Sequence, residues 1–131
     1  MTKRNVVVLE SPYAGAVRRN TAYARKCLLY SLEHDEAPFA GHLLYTQVWN
    51  DLDPKERNAG IEADLCHIDV CDYLVVNVDY GTSSGMKRAI DYARSIGKPV
   101  MYRCPGLVRM TPMMYLEAIV GMLKDWFWAR P

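Results

Sequence analysis

The sequence predicts an α/β protein with a doubly wound parallel sheet of four to five strands in the order 2-1-3-4(-5), with helices on both faces. Three observations predict it. Val6-Val7-Val8-Leu9 and Tyr73-Leu74-Val75-Val76-Asn77-Val78 are short apolar runs rich in β-branched residues, which reads as buried strand. These runs alternate with segments of helical periodicity. Each is followed by a loop of small residues, Ser11-Pro12-Tyr13-Ala14-Gly15 or Gly81-Thr82-Ser83-Ser84-Gly85-Met86, that leads into a helix.

The elements follow in order. Residues 5–9 form the first strand. A helix is expected from about Asn20 to Glu33, with Tyr23, Cys27 and Tyr30 on its apolar face. Ala37 to Leu44 reads as a short, weaker strand ending near His42. Asp53, Pro54 and Glu56 are an N-cap, a first-turn proline and an acidic third position, and Ile61, Leu65 and Ile68 then recur at helical spacing. Residues 73–78 form the next strand, and a helix runs from Ser84 to Ile96 with Met86, Ala89, Ile90, Ala93 and Ile96 inward. Gly97-Lys98-Pro99 stops it, Val100-Met101-Tyr102 is a further strand, and Thr111-Pro112 opens a last helix reaching about Trp126. Without repeats or linkers, residues 1–131 are expected to form a single domain.

Composition narrows the class. Half the residues are apolar and 24% are charged, as in an ordinary globular protein, and a formal charge of +1 gives no broad basic surface for nucleic acid. The N-terminal apolar run is too short for a signal peptide and no stretch is long enough to span a membrane, so a cytoplasmic protein without membrane partners is expected. The four cysteines make no Cys-x-x-Cys pair. Cys66, His67 and Cys71 lie close in sequence, yet their spacing reads as a helix end with buried thiols, and neither a metal nor a cofactor is expected.

In the order 2-1-3-4 the two small-residue loops flank the crevice at the topological switch point. Backbone N–H groups and hydroxyls at a helix start suit an anion, so the pair points to one nucleotide-sized site. Ser83, Ser84, Gly85 and Met86 form one side; the alternative is that Ser84 simply caps a helix. Ser11, Pro12, Tyr13 and Gly15 form the other, or else an ordinary strand-to-helix turn. Arg18 and Arg19 can neutralise phosphate or lie solvated on the surface. Asn77 and Asp79, at the exit of the central strand, can bond a base or ribose. Asp79 or Glu10 can serve as general base on water, or either can be a capping or loop carboxylate. His42 lines the pocket or is a structural histidine.

Together, Ser11-Pro12-Tyr13-Ala14-Gly15, His42 after a short strand, Cys71-Asp72 before the next, Ser83-Ser84-Gly85-Met86 and Gly97-Lys98-Pro99-Val100 resemble the nucleoside 2-deoxyribosyltransferase-like superfamily, and within it the small uncharacterised bacterial and phage proteins. The resemblance covers roughly residues 5–103. It implies a flavodoxin- or Rossmann-like sheet holding a nucleoside or nucleotide, and exchange or hydrolysis at the N-glycosidic bond. It also implies a homo-oligomer, a first-loop tyrosine (Tyr13) that orients the catalytic group, and a loop serine that holds a 5′-phosphate in nucleotide-preferring members. The family's nucleophilic Glu falls four residues after Gly85, where this sequence has Ala89; Asp91, two positions on, lies about 200° around the helix. Two readings therefore stand: a glycosidic-bond enzyme using Asp79, Glu10 or water, with Tyr13 assisting, and a catalytically silent binder acting as a sensor or sequestering protein. A third is a scaffold that binds a protein through Trp126-Phe127-Trp128.

Overall fold

The computed structural model describes residues 2–106 and 112–128. Its elements are β1 (Asn5–Glu10), α1 (Val17–Glu33), β2 (Glu36–Phe39), α2 (Gly41–Leu44), a 3₁₀ turn (Tyr45–Gln47), α3 (Pro54–Val70), β3 (Tyr73–Asn77), α4 (Ser84–Ser95), β4 (Val100–Arg103) and α5 (Pro112–Trp128). Among the described residues the strands form one sheet of four, all parallel, in the order β2-β1-β3-β4.

The centre of the sheet is dry because both of its faces are covered. Val7 and Leu9 of β1 join Val75 of β3 on one face, with Leu28 of α1 packed against them. Val8, Leu74 and Val76 point to the other, where Ile68 of α3 and Met86, Ala89, Ile90 and Ala93 of α4 complete the core. Burial on both sides is why these strands read as continuous apolar runs rather than alternating ones. Helix α3 begins as its sequence predicts, with Asp53 Oδ1 accepting from the backbone N–H groups of Lys55 and Glu56.

Four expectations change, the first being that Ile96, expected to face inward, is exposed just past the end of α4. Helix α1 starts at Val17, three residues earlier than its apolar face suggests, and Asn20 instead ties down the preceding loop by donating to the carbonyls of Tyr13 and Ala14. The second strand ends at Phe39, so that His42 lies on a helix and not at a strand end. Gly41 lies close against Asp64 there: a Cβ would collide with the Asp64 carboxyl and stand 3.2 Å from Asp64 Cβ. Of the two thiols read as buried at the end of α3, only Cys71 is buried, while Cys66 faces solvent. Thr111 lies outside the described residues, as do the side chains of Trp126, Phe127 and Trp128. Among the described residues no helix is long and apolar enough to cross a membrane.

The two edge strands are joined across the face that α1 covers. Arg103 at the end of β4 makes two bonds, 2.9 and 2.7 Å, to the Glu36 carboxylate at the start of β2. Ser31 and Tyr73 also donate to that carboxylate. Burial alone raises the Glu36 pKa, but these donors outweigh it and hold the group down to about 2. The ionised form therefore stabilises the fold above the ordinary value of 4.5, and that contribution is lost as pH falls towards about 2. Urea unfolding is expected to show Glu36→Gln less stable than the parent at neutral pH, with the gap closing between these two values. A gap independent of pH would contradict this assignment.

Candidate functional site

Strands β1 and β3 are adjacent, and the helices that follow them pack on opposite faces of the sheet, which opens a crevice beyond their carboxyl ends. The crevice is a cleft of about 780 Å³ including its open mouth. Its floor comes from three elements. Glu10 is the last residue of β1 and, like Val8 two residues before it, faces α3 and α4. Asp64 stands on α3, and His42 on α2. Tyr13, Tyr45 and Trp49 supply aromatic wall, and Ser83, Gly85, Met86 and Ala89 the α4 side.

The floor is electrostatically unusual. Glu10 is only 6% exposed, and neither its Oε1 nor Asp64 Oδ1 has a hydrogen-bond partner among the described residues, although both atoms are buried. Burial drives the Glu10 pKa well above the ordinary carboxylate value, and the Asp64 carboxylate raises it further, both by charge and by accepting the Glu10 proton. Two carboxyl groups, each with a buried oxygen that no described residue satisfies, therefore stand at the bottom of an open cleft, and their proximity favours the neutral form of Glu10. Beside it, His42 Nε2 lies 2.7 Å from Ser11 Oγ, and His42 Nδ1 is buried without a partner. Burial lowers the His42 pKa, only partly opposed by Asp64, so the imidazole is neutral at pH 7.

The residues singled out from the sequence divide between two places. Glu10, Ser11, Tyr13, His42, Ser83, Gly85 and Met86 line the cleft. Ser83, not Ser84, is the N-cap of α4, accepting from Met86 N–H at 3.3 Å, and Ser84 is exposed. Gly15 has φ +87°, which shapes the first loop, but neither it nor Pro12 lines the cleft. Arg18 is exposed, and Arg19 lies over the Tyr80 ring at 4.1 Å while bonding Asn20.

Asn77 and Asp79 also stand apart from the cleft. Asn77 donates to the Glu10 backbone carbonyl, and Asp79 accepts from the Tyr23 hydroxyl of α1 at 2.7 Å. The Asp79 side chain is thus directed into the α1 face of the sheet. Burial raises its pKa, with the Tyr23 bond partly offsetting the rise.

The sequence reading missed Asp64, although a signal was present. Ile61, Asp64, Leu65 and Ile68 fall at i, i+3, i+4 and i+7, which puts a carboxylate on the apolar stripe of α3. It also missed the rim, where Asp51 Oδ2 lies 3.3 Å from Arg57 Nη1 and Glu56 accepts from Asn50 N–H.

Fold and cleft together define a parallel α/β protein with a ligand-sized site at its switch point. More particularly, a family described as a domain of unknown function, DUF7768, matches residues 5–103, and the chain belongs to that family. No curated protein matches it. Among solved structures, it is similar to a 2-deoxyribosyltransferase from the psychrotolerant bacterium Bacillus psychrosaccharolyticus, a biocatalyst for nucleoside synthesis. The TM-score is 0.56 and the identity 18%, over 86% of this chain and 81% of the other. The two proteins share a fold.

The raised Glu10 pKa has a consequence for stability. Protonated Glu10 contributes stability that is complete below about 4.5 and is lost as pH rises through its folded-state value. The permanently neutral Glu10→Gln is therefore expected to gain on the parent above that pH, by about 1.4 kcal/mol for each unit until the gain levels off. Urea unfolding from about pH 4 to about pH 8 measures it, and a constant offset would contradict the raised pKa.

Proposed function

We propose that the cleft binds a nucleoside or nucleotide and that Glu10 and Asp64 hydrolyse its N-glycosidic bond with water as the nucleophile. The observation that carries this reading is the Glu10–Asp64 pair at the floor of an open cleft, each with a buried carboxyl oxygen that no described residue satisfies. The fold shared with a 2-deoxyribosyltransferase and the motifs of the two loops support a nucleoside as ligand. They also support membership of the wider deoxyribosyltransferase-like superfamily, in its small bacterial and phage branch.

Each turnover balances on the pair. The Asp64 carboxylate draws a proton from water, whose oxygen bonds to the anomeric carbon as the C–N bond breaks. The bonding electrons leave with the base, which takes a proton from solvent at the open mouth of the cleft, and Asp64 gives up its own proton to solvent to close the cycle. The pair begins and ends the cycle with one proton and one negative charge, and that charge stabilises the oxocarbenium-like transition state. Tyr13 and the Ser11–His42 pair orient the ligand beside it.

A second reading, a silent binder, is favoured by Ala89, which lines the cleft where the resembled family carries its nucleophilic Glu. Either reading is expected to operate as a cytoplasmic homo-oligomer, consistent with the apolar Met113, Leu116 and Leu123 that α5 leaves exposed.

Incubation with nucleosides and nucleotides, followed by thermal shift and chromatography for free base, separates the readings. The expected result is stabilisation with base release, and Asp64→Asn keeping the stabilisation while losing about 100-fold or more of the release. Stabilisation of the parent without release would establish the silent binder. Neither effect with any compound would overturn both readings.

A further inference from the structure

Acidic side chains outnumber basic ones in the cleft. Glu10 and Asp64 form the floor, Asp51 and Glu56 stand at the rim, and Arg57 is the one cation among the lining residues. That cation is already committed, with its Nη1 3.3 Å from Asp51 Oδ2. The pair is about a quarter to a third exposed, so a ligand group entering the mouth meets Asp51 as directly as it meets Arg57.

Among the described residues no other positive charge compensates at the cleft. His42 is neutral, Arg18 points to solvent, and Arg19 is stacked on Tyr80 outside the lining. Part of the loop before α4 is already engaged. Ser83 Oγ accepts from Met86 N–H, and Ser83 N–H is directed at Met86 Sδ, so two groups suited to an anion are engaged within the helix start itself. A 5′-phosphate monoester would bring a charge of about −1.5 to −2 into this surrounding. Like charges in a partly desolvated cleft repel far more than they do in water.

We propose that the cleft selects the phosphate-free ligand, a nucleoside over its 5′-monophosphate, and that Asp51 sets this preference by holding Arg57. The inference rests on the nucleoside reading above and narrows it. Asp51 acts here as a specificity-determining residue: it cancels the one cation among the described lining residues, and adds a negative group at the entrance.

The test is equilibrium binding of adenosine, guanosine, cytidine, uridine and their 2′-deoxy forms against the matching 5′-monophosphates. The parent, Asp51→Asn and the double variant Asp51→Asn/Arg57→Gln are compared at low salt, where the charge effect is least screened. The parent is expected to bind at least one nucleoside about tenfold or more tightly than its monophosphate. Asp51→Asn is expected to tighten the monophosphate by about tenfold, and the added Arg57→Gln to remove that gain. A parent that binds a monophosphate as tightly as its nucleoside, or more so, would overturn the preference while leaving the nucleoside reading intact. An unchanged ratio in folded Asp51→Asn would overturn the role of Asp51. Binding of neither series by the parent would bring down the underlying reading itself. The parent's ratio decides the preference even where a variant fails to fold.

Discussion

Glu10 and Asp64, two carboxyl groups at the floor of one cleft, are the constraint on which the cleft depends. Placed in a closed core, Glu10 and Asp64 would be expelled or would break the fold, because buried like charges are strongly unfavourable. They are tolerated because burial and the nearby Asp64 raise the Glu10 pKa, which favours its neutral form, and because the space in front of them is open. The surrounding structure serves that meeting. Parallel pairing sets the end of β1 beside the end of β3, and the apolar stripe of α3 carries Asp64 down to it. The missing Cβ at Gly41 lets α2 pass close over Asp64, bringing His42 and Ser11 to the same floor.

The carboxyl end of the sheet carries a second polar cluster, separate from the first. On the α1 side, Tyr23 donates to Asp79 and Arg19 stacks on Tyr80, while Asn77 bonds the Glu10 carbonyl from below. These contacts satisfy buried groups and fix where β1 and β3 end. The division follows from strand geometry, since successive side chains leave a strand on opposite faces. Residues placed side by side in a sequence motif can therefore serve two different sides of the sheet.

Strand order, the order of the long helices and the position of the crevice were legible in the sequence, while the short α2 was read as strand. The apolar runs of β1 and β3, the Asp53-Pro54 start of α3 and the Gly97-Lys98-Pro99 stop after α4 each carry a local physical cause. Less was legible where tertiary contact decides. Pro38 and Phe39 suggest a strand continuing to His42, but it ends before Gly41, which lies close against Asp64, and nothing within residues 37–44 announces a contact with residue 64. Asp64 is masked by the apolar stripe around it, where a carboxylate is easily passed over as a helix-surface residue. Asp79 illustrates the opposite case: a strand-exit carboxylate looks like a site residue until its partner, Tyr23, is known.

The most direct measurement is a ¹³C NMR titration of the Glu10 side-chain carboxyl in the parent and in Asp64→Asn. A buried proton held against Asp64 requires Glu10 to titrate well above the ordinary carboxylate range in the parent, and to move down when Asp64 loses its charge. Titration of Glu10 near the ordinary value of 4.5, unmoved by Asp64→Asn, would contradict the pairing and with it the chemistry assigned to the cleft.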